Sequence, residues 1–321
     1  MLQRIQLDAL KVQRPDIVAL ALAVCFGAAC GKRPDGLHRD SRPVVDPTHQ
    51  RAIILAASVM GKSSIYRLHT DDLSSELLVS SEGDNVQPTV SQDGSLIAYV
   101  CEQPSGAGRI CVVNSEGANN RAVTSEHDVD ERWPAFLSRD HIVFARAAQR
   151  RSYSMGGHVW DDYDLYDASL SLRTVTRLTH ESYRQVLGIS SDDGEIVFSA
   201  QPSGGDLTVF KMRLNGEAKP VVDGSYPAVG RSSRTLFVRR TAAKEESDYF
   251  EYEVWLEQNG LRQLTHNRSY DLSPTWGEGA DSVLYLSDPD RNQRCTLWES
   301  DLAGSRPHQI PVTVASLRLR R

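Results

Sequence analysis

From residue 51 onward the apolar positions gather in short runs and show almost no helical spacing. β-rich runs recur at Ile53 ("IILA"), Ile97 ("IAYV"), Ile142 ("IVFA"), Ile196 ("IVFS"), Thr235 ("TLFV") and Val283 ("VLYL"), at spacings of 44, 45, 54, 39 and 48 residues. An aromatic-rich series follows in the same order at Ile65 ("IYRL"), Ile110 ("ICVV"), Leu165 ("LYDA"), Val209 ("VFKM"), Val254 ("VWLE") and Leu297 ("LWES"). A third series closes the units, as in "LLVSS" from Leu77, "RLTHE" from Arg177 and "QLTHN" from Gln263. Ahead of the first series lies a short segment ending in a turn, such as "QPTVSQDGS" from Gln87, in which Asp93-Gly94 tolerates the positive φ of a tight reversal. Each unit of about 45 residues therefore reads as four strands joined by hairpins.

The bulky runs are apolar on both faces, as in "LIAYV" at Leu96 to Val100. A sheet covered on one side only would alternate apolar with polar, so each of these sheets is expected to lie between two neighbours. Six such sheets arranged radially bury both faces of every one and leave only short edges, which predicts an all-β, six-bladed β-propeller of four-stranded antiparallel blades. The first blade lacks a clear inner strand before Ile53. Either "RPVVDPTHQ" (Arg42 to Gln50) or the C-terminal "VTVASLRLR" would supply it and fasten the ring.

The units Gln87 to Thr124 and Ser273 to Gly304 resemble the repeats of the TolB-type β-propeller family: a proline, a serine three residues on, an Asp-Gly turn, an aliphatic-aromatic strand, then "IY" and "LT". The resemblance covers roughly residues 50 to 312. Arg139-Asp140, Ser232-Ser233 and Glu278-Gly279 stand in place of the family's turn, and Leu187-Gly188 in place of its proline. TolB itself carries an N-terminal α/β domain, for which about twenty residues are present here. The resemblance implies the propeller alone and partners in the cell envelope.

The N-terminal region has a different pattern. Arg4, Lys11 and Arg14 precede an uncharged run, "IVALALAVCFGAA" from Ile17 to Ala29, too short to cross roughly 30 Å of hydrocarbon as a helix but suited to the apolar core of an export signal. "GAAC" at Gly27 to Cys30 resembles a bacterial lipobox, with Gly27 in the position usually held by Leu. Residues 1–29 are thus expected to be an export signal, Cys30 a lipidated mature N-terminus, 30–50 a Pro-rich charged tether and 51–321 the propeller. Gly31 after Cys30 favours outer-membrane delivery. With 36 Lys and Arg against 42 Asp and Glu the net charge is −6, which argues against nucleic acid as a partner.

Strand direction alternates, so the loops between second and third strands share a face with those between blades. Extra residues fall there: "RAAQRRSYSMGGHVWDDYD" (Arg146 to Asp164) in blade three and "RRTAAKEESDYFEY" (Arg239 to Tyr252) in blade five. That face would carry Asp84, Asp128, Asp130, Glu131 and Asp271 with the aromatics Trp160, Tyr163, Tyr183 and Tyr270. Acidic loops with aromatic anchors suit a basic, extended segment of an envelope protein or peptide, bound by a monomer. The same acidity also fits an ordinary solvated loop set.

Catalytic patterns are sparse. Neither G-x-S-x-G nor H-E-x-x-H occurs. His180 and His266 occupy matching "LTH" positions and would serve a rival reading, a metal-assisted polysaccharide lyase or lactonase-like propeller, if they converged on the axis. No cofactor is expected, although acidic loops at the channel mouth could hold Ca²⁺. A third reading is a glycan or small-ligand module, with Trp160 or Tyr163 stacking on a sugar. Cys101 and Cys111 end one strand and open its partner, which permits a disulfide in an oxidising compartment.

Overall fold

The computed structural model describes residues 36–37, 42–49, 51–152, 157–241, 251–267, 269–278, 281–291 and 294–312. All belong to one compact unit, Lys32–Arg321. The expected signal segment, Cys30 and the C-terminal candidate strand from residue 313 lie outside the described residues. Among the described residues no helix is long and apolar enough to cross a membrane.

Among the described residues six antiparallel blades follow one another along the chain, the fifth and sixth joined into one sheet by a parallel bridge between Tyr252 and Tyr270. Blade 2 shows the pattern: Asn85–Val90, Leu96–Glu102, Gly108–Asn114 and Arg121–Ala122, each paired with the next. Blade 3 is built on Val129–Phe136, His141–Ser152, Asp164–Ser169 and Thr174–Arg177. Blade 4 starts at Gln185–Asp192, blade 5 at Ser225–Gly230 and blade 6 at Tyr270–Trp276. These first strands adjoin one another in succession, and Val44–Val45 of blade 1 lies beside those of both blade 2 and blade 6. The six blades therefore close into a propeller with the first strands around the axis.

The core is the set of interfaces between blades, which is why the strand runs are apolar on both faces. Ile54, Ile65, Ile97 and Tyr99 fill the space between blades 1 and 2, and Val86, Ile110, Ile142 and Phe144 that between blades 2 and 3. Leu55, Leu68, Leu284, Leu286 and Leu297 join blade 6 to blade 1 across the closure.

Closure comes from the segment before residue 50. Val44 and Val45 pair with Ile54 and Ile53, supplying the inner strand of blade 1, and Gly36–Leu37 pairs with Ser58 and Ala57 of the same strand. Leu37 also bridges to Cys295 of blade 6. The expected tether over 30–50 is thus corrected: Arg42 and Asp46 are buried, and the propeller begins before residue 51. Charge and prolines resemble a tether, but here Asp46 is paired with an arginine of blade 1. Arg67, 1% exposed, donates to Asp46 at 2.8 Å, to Glu76 at 2.5 Å and to the Ser115 carbonyl at 2.6 Å, joining this segment to blades 1 and 2. The Gly94 turn of blade 2 explains its own residue, since a Cβ there would meet Thr48 Cγ2 at 2.2 Å.

Candidate functional site

Strand register fixes which loops share a face. In blade 3, Val129 lies opposite Ala148 and Arg146 opposite Asp164, so the start of the first strand, the end of the second and the start of the third lie together. The blade 3 insert continues the second strand: Gln149 to Ser152 pair with Trp160 to Gly157, a hairpin standing out from the loop-rich face. Residues 242–250, most of the blade 5 insert, lie outside the described residues.

The residues expected to face a partner divide into two groups. Asp128 is exposed, and Asp84, Trp160, Tyr163 and Tyr270 are half-buried. Asp130, Glu131, Tyr183 and Asp271 are buried, which corrects the expectation that they meet a partner. Asp130 accepts from the Gly108 N–H at 2.6 Å, from Arg132 Nε at 2.9 Å and from the Tyr163 hydroxyl at 2.5 Å. Burial and the Asp130 charge push the Tyr163 hydroxyl well above its ordinary range. Glu131 accepts from the Ile110 N–H at 3.0 Å, from Arg146 Nη2 at 2.7 Å and from the Thr124 hydroxyl. Tyr183 packs between Phe198 and Phe210, each 5.7 Å away, and exchanges backbone hydrogen bonds with Tyr163.

Asp130 and Glu131 join blade 3 to blade 2. Ile110 and Thr124 end in blade 2, whereas Glu131 opens blade 3. Asp271, opening blade 6, accepts from Ser287 at 2.6 Å and Asn267 at 2.7 Å. The threonine of the "LT" motif works within its own blade: Thr265 accepts from the Val254 N–H at 2.9 Å and donates to Glu253 at 2.5 Å, and Thr179 relates likewise to Leu165 and Asp164. One hydroxyl thus serves a buried backbone N–H and one oxygen of a buried carboxylate, while Glu253 Oε1 has no hydrogen-bond partner among the described residues, and the acidity of this face is largely internal. Burial pushes Glu253 up to about 8, with Asp271 and Glu251 adding to it against the opposing Thr265 hydrogen bond. Burial raises Asp271 as well.

What remains open on the loop-rich face is a cavity of about 300 Å³ lined by Glu126, Arg146, Asp162, Asp164, Arg177 and Ser182. A second cavity of about 300 Å³ opens on the opposite face beside Asp192, Arg231, Arg234 and Trp276, where Arg234 lies 4.6 Å over the Trp276 ring. His180 and His266 are exposed, and no group of three or more His, Cys, Asp or Glu placed to hold a metal ion occurs among the described residues. A disulfide joins Cys101 to Cys111 across the second and third strands of blade 2, with a Cα–Cα distance of 6.0 Å.

The throat of the channel was not singled out from the sequence. The inner strands of blades 2, 3, 5 and 6 each carry a register bulge at an x-Pro pair, and the residue before proline is left-handed: Gln87 (φ 54°), Trp133 (57°), Tyr226 (51°) and Ser273 (50°). A bulge leaves backbone groups without ladder partners. Side chains of the preceding blade satisfy two of them, Gln87 Oε1 accepting from the Trp133 N–H at 2.8 Å and Ser199 Oγ from the Tyr226 N–H at 3.2 Å. Trp133 and Tyr226 meet across the throat with ring centroids 5.6 Å apart. Arg42-Pro43 is the equivalent pair of blade 1 in register. The repeated x-Pro spacing was visible in the sequence, but that x faces the axis was not.

No protein-family model matches the sequence, and no curated protein does so. Solved structures do resemble the fold. TolB from Acinetobacter baumannii superposes with a TM-score of 0.61 at 16% identity, over 91% of this chain and 67% of that one. An oligogalacturonate lyase in complex with manganese gives 0.58 at 12% identity, over 86% and 77%. The β-propeller domain of the Trilobed protease from Pyrococcus furiosus gives 0.53 at 11%, over 84% and 83%.

Proposed function

We propose, from the premise that the chain folds as a TolB-type β-propeller, that it is a non-enzymatic exported lipoprotein that binds a basic, extended segment of an envelope protein on its loop-rich face. The fold is shared with TolB and also with a lyase and a protease domain, so fold alone does not choose among them. The observation that carries the reading is the surface around the loop-face cavity. Exposed Glu126 and half-buried Asp162 line it, and exposed Asp128 and Glu181 adjoin its lining residues Val129 and Ser182 in the chain, beside a hairpin that ends on Trp160. Glu126 is ion-paired with Arg146, and the further carboxylates of this surface steer a cationic segment in, while a cleft with an aromatic edge supplies area to bury. The uncharged run ending at Cys30 supports export and lipidation, and with Gly31 an outer-membrane address facing the periplasm.

The test compares two double charge reversals in crosslinked capture from envelope extract. Asp128→Lys with Glu181→Lys, on the loop-rich face, is expected to weaken capture by roughly tenfold, as loss of complementary charge does. Glu116→Lys with Glu217→Lys, on the hairpins of the opposite face, is expected to leave it unchanged. Equal effects of the two pairs would remove the proposed face.

A further inference from the structure

Arg42 leaves the first blade and reaches the far side of the ring. Its Nη1 donates to the Ile189 carbonyl of blade 4 at 2.6 Å and its Nη2 to the Pro227 carbonyl of blade 5 at 2.7 Å. The guanidinium carbon stands 5.9 Å over the Trp133 ring of blade 3. Both acceptors lie at the inner-strand bulges of blades 4 and 5, where a ladder break turns carbonyls toward the axis. Gly188 makes the space: a Cβ there would lie 3.1 Å from Arg42 Nη2, 3.1 Å from Tyr226 Cα and 3.3 Å from Pro227 Cδ. This accounts for the one blade whose inner strand has Leu187-Gly188 in place of x-Pro.

The seat is specific for a guanidinium and does not fully satisfy the one it holds. Two carbonyls and an aromatic face match a planar fork of N–H donors, which an ammonium could not span. Arg42 is 8% exposed, its Nε has no hydrogen-bond partner, and among the described residues no carboxylate forms an ion pair with it. A buried cation held by neutral dipoles keeps much of its desolvation cost. Burial accordingly lowers the Arg42 pKa to about 10. The strand that carries it is short, pairing with blade 1 only at Val44 and Val45.

We propose that the throat of the propeller is a guanidinium-binding site, filled by the chain's own Arg42 and open to an arginine side chain of a partner once the Arg42–His49 segment is displaced. The inference rests on the partner reading only for the source of that second arginine; the site itself is tested with small probes.

The first measurement uses the full chain and its Arg42→Ala variant, titrated with methylguanidinium and with methylammonium while melting is followed. Methylguanidinium is expected to raise the melting temperature of the variant and to bind it at least tenfold more tightly than it binds the parent chain, while methylammonium raises neither. Equal responses of variant and parent, or equal responses to the two cations, would overturn the site. The second measurement needs no variant and so stands even if Arg42→Ala fails to fold. An acetylated peptide copying residues 42–49 is added to the parent chain, and exchange of the Asp46 amide, hydrogen-bonded to the Ala52 carbonyl, is followed. Exchange is expected to accelerate at least tenfold, and not to change when citrulline replaces the peptide's arginine. Unchanged exchange with the arginine peptide would overturn displacement. Neither result depends on the envelope partner, so failure of one reading is distinguishable from failure of the other.

Discussion

At the scale of the residue, the same side-chain types do two different things on one face of the molecule. Carboxylates next to "LT" look like loop charges in the sequence, yet Glu131, Glu253 and Asp271 are 0%, 1% and 0% exposed. A threonine hydroxyl meets Glu131 and Glu253, Glu131 has in addition a strand N–H of blade 2 and an arginine of its own blade, and Asp271 is met by a serine and an asparagine. Only Asp128 and its exposed neighbours were legible as what they are, because nothing packs over them. Glu253 gives a test. Its folded-state pKa, raised by burial from 4.5 to about 8, means the folded chain holds a proton that the unfolded chain has released between those values. The associated stability is fully present below about pH 4.5 and is lost as pH rises through about 8. Melting of the parent chain is therefore expected to decline from pH 5 to pH 8.5 relative to Glu253→Gln, which lacks that titration. Parallel melting curves for the two chains would show that Glu253 is ionised throughout.

At the scale of the element, the repeats were readable because strand chemistry is local. Apolar runs, turns such as Asp93-Gly94 and the period of the series require no knowledge of what lies alongside. Pairing across a hairpin is nearly as local. Cys101 and Cys111 are close in sequence and lie diagonally across two adjoining strands, Cys101 standing opposite Arg109 and Cys111 opposite Tyr99. Their disulfide closes a short loop, for which removal costs about 2–4 kcal/mol, or roughly 3–6 °C in a chain of this size. Reductant is expected to lower the melting temperature of the parent chain by that amount and to leave a Cys101→Ser, Cys111→Ser double variant unmoved. A chain as stable reduced as oxidised would show that the hairpin and its blade neighbours already hold these strands. The bulges of the inner strands belong to the same scale. Proline marks their place, but left-handed geometry at Gln87, Trp133, Tyr226 and Ser273 follows from how adjacent first strands crowd around the axis.

At the scale of the whole molecule, closure is the deciding feature. A ring of sheets is only as stable as its last interface, and here that interface is fastened by the segment that reads least like a strand. Val44–Val45 completes blade 1, Leu37 touches blade 6, Asp46 reaches Arg67, and Arg42 spans to blades 4 and 5. A chain begun at Lys32 keeps all of these and is expected to melt as the full chain does. One begun at Ala52 loses them, including a buried ion pair of the kind whose breaking costs about 3–5 kcal/mol, and is expected to melt at least roughly 5 °C lower. Coincident melting of the two truncated chains would mean that the ring closes without its N-terminal strand. The sequence by itself determined the sixfold repetition, the four-stranded unit and the all-β class, because each rests on residues close together along the chain. The tertiary structure alone decided which carboxylates are buried, which strand closes the ring and what fills the throat. Those outcomes depend on residues that stand far apart in sequence, Arg42 with Ile189 and Pro227 above all, and meet only because a closed ring brings its opposite sides within the length of one side chain.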